Sequence, residues 1–124
     1  MKQAAVYLLA LVLLACAKMT PAPAAGGGPG FRSPELLEEH YQKHGSEFGA
    51  ISKSEYLRMA QQLRDTPAGN GILEYDRRDG VITKFGRRHG WFGAYDADGI
   101  IRTFFIPNNG ERYFERQARS YDRR

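Results

Sequence analysis

The 124-residue chain holds one cysteine, one tryptophan and three histidines. A single cysteine excludes an intramolecular disulfide, so the fold must rest on packing and hydrogen bonds alone. With so few imidazoles, a metal site is hard to assemble. His40 and His44 stand four apart, but Tyr41 occupies the position where a zincin helix carries glutamate, and only His89 remains as a third imidazole. No metal and no cofactor are expected. The segment Gly86-Arg87-Arg88-His89-Gly90 has the spacing of neither a P-loop nor a dinucleotide fingerprint. Long apolar runs are missing too. The longest, from Ala4 to Leu14, falls short of the roughly 20 residues that span a bilayer.

That run does fit the hydrophobic part of a signal peptide. Lys2 precedes it, and it ends in Leu13-Leu14-Ala15-Cys16, which looks like a lipobox: an aliphatic residue, a small residue, then cysteine. The only thiol therefore sits where lipid attachment would need it. Residues 1–15 are expected to be a lipoprotein signal peptide and Cys16 the lipidated residue, which places the protein in the cell envelope, on the outer membrane. Residues 16–30 are dominated by Ala, Pro and Gly and are expected to form a linker, leaving residues 31–124 as one small domain.

Charge is unevenly divided in that domain. Phe31 to Asp76 carries five Lys/Arg against eight Asp/Glu, whereas Arg77 to Arg124 carries eleven against six. Most of the positive residues in the second half are arginines, whose planar fork grips phosphate in two places. A polyanionic partner is the physical expectation, although exposed arginines also serve solubility alone.

Ser33-Pro34 reads as a helix cap followed by proline at the first helical position, and Leu36, Leu37, His40, Tyr41 and His44 share one face before Gly45. A second helix opens at Ser52, with Glu55 completing a capping box; Tyr56, Leu57, Ala60 and Leu63 form its apolar stripe. Asp65 to Gly71 ends it. Strand patterns follow over Ile72–Arg77, Val81–Phe85, Trp91–Tyr95 and Ile100–Ile106, with Asp79-Gly80 and Asp98-Gly99 in hairpin turns. A last short strand is expected over Arg112–Gln117. The fold class is α+β: two N-terminal helices packed on one face of an antiparallel sheet of about four strands.

The stretch His40-Tyr41-Gln42-Lys43-His44-Gly45-Ser46-Glu47-Phe48-Gly49 concentrates the chemistry. It puts a proton-carrying imidazole at a helix end beside a lysine able to hold a phosphate. A packed core histidine satisfies the same pattern. The motif Lys-His-Gly-x-x-Phe-Gly, followed by a capped helix, hairpins and Gly99-x-Ile-x-Thr-x-Phe105, resembles the colicin D-like ribonuclease domains and the related toxin domains of contact-dependent inhibition systems. These fall in the barnase, EndoU, colicin and RelE-like group, and the likeness runs from about Leu36 to Phe114. It implies a metal-independent endoribonuclease, with tRNA as substrate and an acidic immunity protein as partner. It implies His44 as the catalytic histidine, Lys43 as its lysine neighbour, Thr103 as the strand hydroxyl and Phe105 as the substrate-facing aromatic. The chain departs from the pattern at Tyr41, where the family has a second lysine, and at Phe105, where it has tryptophan.

Arg87, Arg88, Arg102 or Arg112 can replace the missing cation, and Tyr113 is a second candidate to stack on a base. Strand alternation puts Ile101, Thr103 and Phe105 on one side and Arg102 and Phe104 on the other. The reaction implied is attack of a 2′-hydroxyl on the adjacent phosphorus, leaving a 2′,3′-cyclic phosphate. His40, one turn from His44, is a candidate for the acid. A different class of function fits the same composition: a non-catalytic envelope lipoprotein that binds an anionic polymer or a protein partner.

Overall fold

The computed structural model describes residues 27–122. The signal peptide, Cys16 and most of the expected linker lie outside them. Helix α1 spans Pro34–His44, and a 3-10 turn covers Gly45–Phe48. Helix α2 spans Lys53–Asp65. Strands β1 (Ile72–Asp76), β2 (Ile82–Gly86), β3 (Trp91–Tyr95) and β4 (Ile101–Phe105) follow, and helix α3 (Glu111–Asp122) comes last. Both expected caps form: the Ser33 hydroxyl accepts from Leu36 N at 3.2 Å and that of Ser52 from Glu55 N at 3.1 Å. Among the described residues no helix is long and apolar enough to cross a membrane.

The four strands form one antiparallel sheet in the order β1-β2-β3-β4. Each face has its own core. On one, α1, the 3-10 turn and α2 pack Tyr56, Ala60 and Leu63 against Tyr95, Ile101 and Phe104. Two tyrosine hydroxyls cross this layer, Tyr56 donating to the Phe104 carbonyl and Tyr95 to that of Ala60 at 2.8 Å. Burial pushes both phenols far above their ordinary range. Lys84 is also buried here; its ammonium donates to the carbonyls of Arg64, at 2.8 Å, and Thr66, capping the end of α2. On the other face Val81, Phe85, Phe92 and Ala94 meet Phe114 of α3.

That third helix corrects the expectation. Arg112–Gln117 is helical, and the sheet is covered on both faces rather than one. The physical reason is spacing: Tyr113, Phe114, Gln117 and Tyr121 recur at three- and four-residue intervals, so a helix can lay them on the sheet, whereas a strand would split them between two faces. The alternation along β4 is corrected as well. A bulge at Ala94/Tyr95 pairs Tyr95 with Ile101 and Ala94 with Thr103, leaving Arg102 as the extra residue. Ile101 consequently shares the inner face with Phe104, while Thr103 and Phe105 stay together on the α3 face.

The chain enters this fold along β4. The carbonyl of Gly30 accepts from Ile101 N at 2.9 Å, and Phe31 makes a parallel bridge to Ile101. Arg64 holds the preceding segment, donating to the carbonyls of Gly27 and Pro29, each at 2.5 Å.

Candidate active site

His44 is the last residue of α1, and the backbone there turns sharply into the 3-10 segment. Gly45 permits the turn by close approach: a β-carbon on it would lie 2.7 Å from the Tyr41 ring. The turn swings Glu47 back to His44, whose Nδ1 lies 2.7 Å from the carboxylate. The other oxygen of Glu47 accepts from the backbone N–H of Ile106 at 2.8 Å, just beyond β4. One carboxylate therefore ties the helix end to the end of the edge strand.

The imidazole is fixed from a second direction. Its ring stacks on Phe105 at 5.1 Å between centroids, with 27° between planes. Only 15% of the side chain is exposed. A carboxylate can only accept, so Nδ1 carries the proton and, in the neutral ring, Nε2 holds the lone pair. Among the described residues Nε2 has no hydrogen-bond partner. The arrangement is that of a base with its tautomer set by a carboxylate.

Phe105 extends the site toward α3. Tyr113 stands edge-on to it at 5.4 Å and to Phe92 at 4.9 Å. Burial raises the Tyr113 phenol above its ordinary range, with Tyr121 adding to the effect. Thr103 lies two residues back on the same face, half-buried, with no partner for its hydroxyl among the described residues. Lys43 is exposed and likewise without a partner, but adjacent helical positions point about 100° apart, so it flanks His44 rather than facing the same spot.

The arginines divide. Arg87 grips Glu111 with two hydrogen bonds, at 2.9 and 2.7 Å, and that carboxylate holds the guanidinium pKa up. Arg102 is spent on Asp96, which Arg32 also engages at 2.6 Å. It belongs to the far end of β4, with His40 lining the same shallow cleft. His40 itself donates from Nδ1 to the Leu36 carbonyl at 2.8 Å and packs on Phe31, with its ring 6.4 Å from that of His44. Arg88 and Arg112 are exposed and form no ion pair among the described residues. The β2–β3 turn that carries Arg88 lies at the same sheet end as His44, since Gly86 pairs with Trp91 and Phe92 with Phe105. No group of three or more His, Cys, Asp or Glu side chains placed to hold a metal occurs among the described residues.

The structure thus brings His44 onto Phe105 and Phe105 onto Tyr113, keeps Thr103 on the α3 face with the latter two, and sets Arg87 and Arg102 to other tasks. Glu47 is absent from the sequence-based set, although the three-residue spacing from His44 across Gly45 was a usable signal.

No protein-family model matches the chain, and no curated protein does. Among solved structures it is similar to a ribonuclease from Escherichia coli complexed with its inhibitor protein. That similarity has 19% identity and a TM-score of 0.42, and covers 64% of this chain and 95% of the other.

Proposed function

We propose that the folded domain is a metal-independent endoribonuclease, carried by a lipid-anchored bacterial toxin and cutting RNA, tRNA foremost, to 2′,3′-cyclic phosphate ends. The observation that carries this reading is the His44–Glu47 pair, with the ring clamped on Phe105 and Nε2 left open. In this mechanism Nε2 takes the 2′-hydroxyl proton, the freed oxygen attacks the adjacent phosphorus, and the P–O5′ bond breaks, the departing 5′-oxygen taking a proton from solvent to leave as a hydroxyl. The charge left on the ring is balanced by Glu47. Thr103 orients a non-bridging oxygen, Lys43 and Arg88 supply positive charge to the phosphates, and Phe105 with Tyr113 offers a surface for a base. Lipid on Cys16 and an acidic immunity protein that masks the basic half complete the proposal.

The test is cleavage of total tRNA, in the presence of EDTA, by residues 17–124 and by the same chain carrying His44→Ala. The expected outcome is cyclic-phosphate ends from the first and a loss of about 10²- to 10⁴-fold from the second. Absence of cleavage by a folded wild-type chain over several RNAs would favour the non-catalytic binder, in which the packed ring of His44 is a structural residue. Mass spectrometry of the membrane-bound protein, with Cys16→Ser as control, tests the anchor.

A further inference from the structure

A concavity at the sheet end that carries His44 contains none of His44, Phe105 or Thr103. It is a cleft of about 400 Å³, within the usual range for small-molecule sites, between the end of α2, the loop before β1 and the β2–β3 turn. Gln62 lines it from α2, Thr66 from the residue just after that helix, Asn70 from the loop, and Arg88, His89 and Trp91 from the turn and the start of β3.

Three of its features are specific. One wall is aromatic: the His89 ring stacks on Trp91 at 4.8 Å with 26° between planes, and Trp91 is in turn seated edge-on against Phe48 and Phe104. The platform is therefore backed by the core, while His89 itself is exposed. At the rim stands Arg88, which has no ionic partner among the described residues, in contrast to the neighbouring Arg87, held by Glu111. The third feature is an amide on a tight turn. Asn70 and Gly71 both have positive φ, 50° and 90°, in a two-residue turn closed by reciprocal bonds between Gly69 and Ile72. That turn places Asn70, whose amide is a donor and an acceptor together, at the edge of the cleft.

The cleft is also connected to the proposed site. Gly90 approaches Ile106, whose N–H is held by Glu47, and Phe48 of the turn after His44 touches Trp91 at 6.1 Å. Strand β3, whose Trp91 lines the cleft, pairs directly with β4, whose Phe105 carries the His44 ring.

We infer that this cleft is a nucleotide subsite that takes one unpaired base of the RNA near the scissile bond, stacked on the His89–Trp91 platform with its phosphate at Arg88 and its edge at Asn70. A flat aromatic wall with an arginine that has no ionic partner among the described residues and an amide beside it suits a planar heterocycle bearing an anion. The inference rests on the ribonuclease reading for its place along the substrate, not for the binding itself.

Trp91 is the only tryptophan in the chain, so its fluorescence reports on the platform directly. The experiment titrates the full-length protein in detergent with an uncleavable 2′-O-methyl RNA pentanucleotide and follows that emission. Cleavage of the matching unmodified RNA is measured in parallel. Saturable quenching is expected, with affinity weakened about tenfold in His89→Ala and in Arg88→Gln. Both variants are on the surface and should keep the wild-type melting temperature, and His44→Ala should bind like wild type. In the cleavage assay His89→Ala should raise KM with little change in kcat. Quenching that neither variant weakens, or cleavage without any quenching, overturns the subsite. Quenching with the expected variant pattern but no cleavage upholds the nucleotide site and overturns the ribonuclease reading instead.

Discussion

Glu47 performs two tasks with two oxygens, and both its partners are donors: the imidazole Nδ1–H and the Ile106 N–H. A glutamine has a single acceptor oxygen and cannot serve both. In Glu47→Gln either the bond to Ile106 fails or the amide N–H faces Nδ1, which reverses the tautomer and blocks Nε2 with a proton. Cleavage should fall at least about tenfold in kcat, with KM nearly unchanged, as steady-state kinetics on an RNA oligonucleotide would show. His44 itself was legible in the sequence because a histidine beside a lysine at a helix end, before a glycine, is a local pattern. The assignment of the arginines was not. Whether Arg87 or Arg88 is available depends on Glu111, 24 residues beyond Arg87, and on a helix that brings it back. Charge counts cannot separate a paired guanidinium from a free one.

At the scale of elements, the caps, the hairpin turns and the period-two runs are local signals, and α1, α2 and β1 to β4 follow them closely. Helix α3 does not announce itself in the same way. Its first turn contains Tyr113-Phe114 next to arginine and glutamate, a pattern that also reads as a short strand, and the three-dimensional partner decides. That partner is the outer face of the sheet, where Phe114 is buried against Phe85 at 6.4 Å between rings. The far end of α3 is secured as well, by Arg77 over the Tyr121 ring at 3.4 Å and by Tyr75 donating to Asp122. Phe114→Ala should cost about 3–5 kcal/mol of stability, seen as a lower midpoint in urea unfolding. If α3 were a loosely attached appendage, the midpoint would hardly move. The bulge on β4 was equally illegible, because nothing in Ile100-Ile101-Arg102-Thr103 marks which residue the register will skip.

For the whole molecule, acid is the informative stress. Arg102, with Arg32 beside it, holds the Asp96 carboxyl below its ordinary range, and Arg87 does the same for Glu111. A carboxylate whose folded pKa is depressed contributes stability in full above its unfolded value, near 4, and loses it as pH falls through the folded value. Melting temperature should therefore decline below about pH 4. In Arg102→Ala the decline should be shallower, with a lower plateau near neutrality, measurable by thermal unfolding from pH 2 to 7. The docking of Gly27 to Phe31 along the first residue of β4 has a further consequence. The chain enters at Ile101 and the His44 imidazole sits at Phe105, about 14 Å away at the opposite end of one strand. With lipid on Cys16, as proposed, the eleven residues from Cys16 to Gly26 can reach at most about 40 Å. Such a leash would set a radius of action and leave the His44 end of the sheet unshadowed by the attachment. A polymer dissolved deep in a cell's interior would lie beyond that radius, so a domain anchored in this way would meet such a substrate only after the lipid is handed to another membrane or the leash is cut.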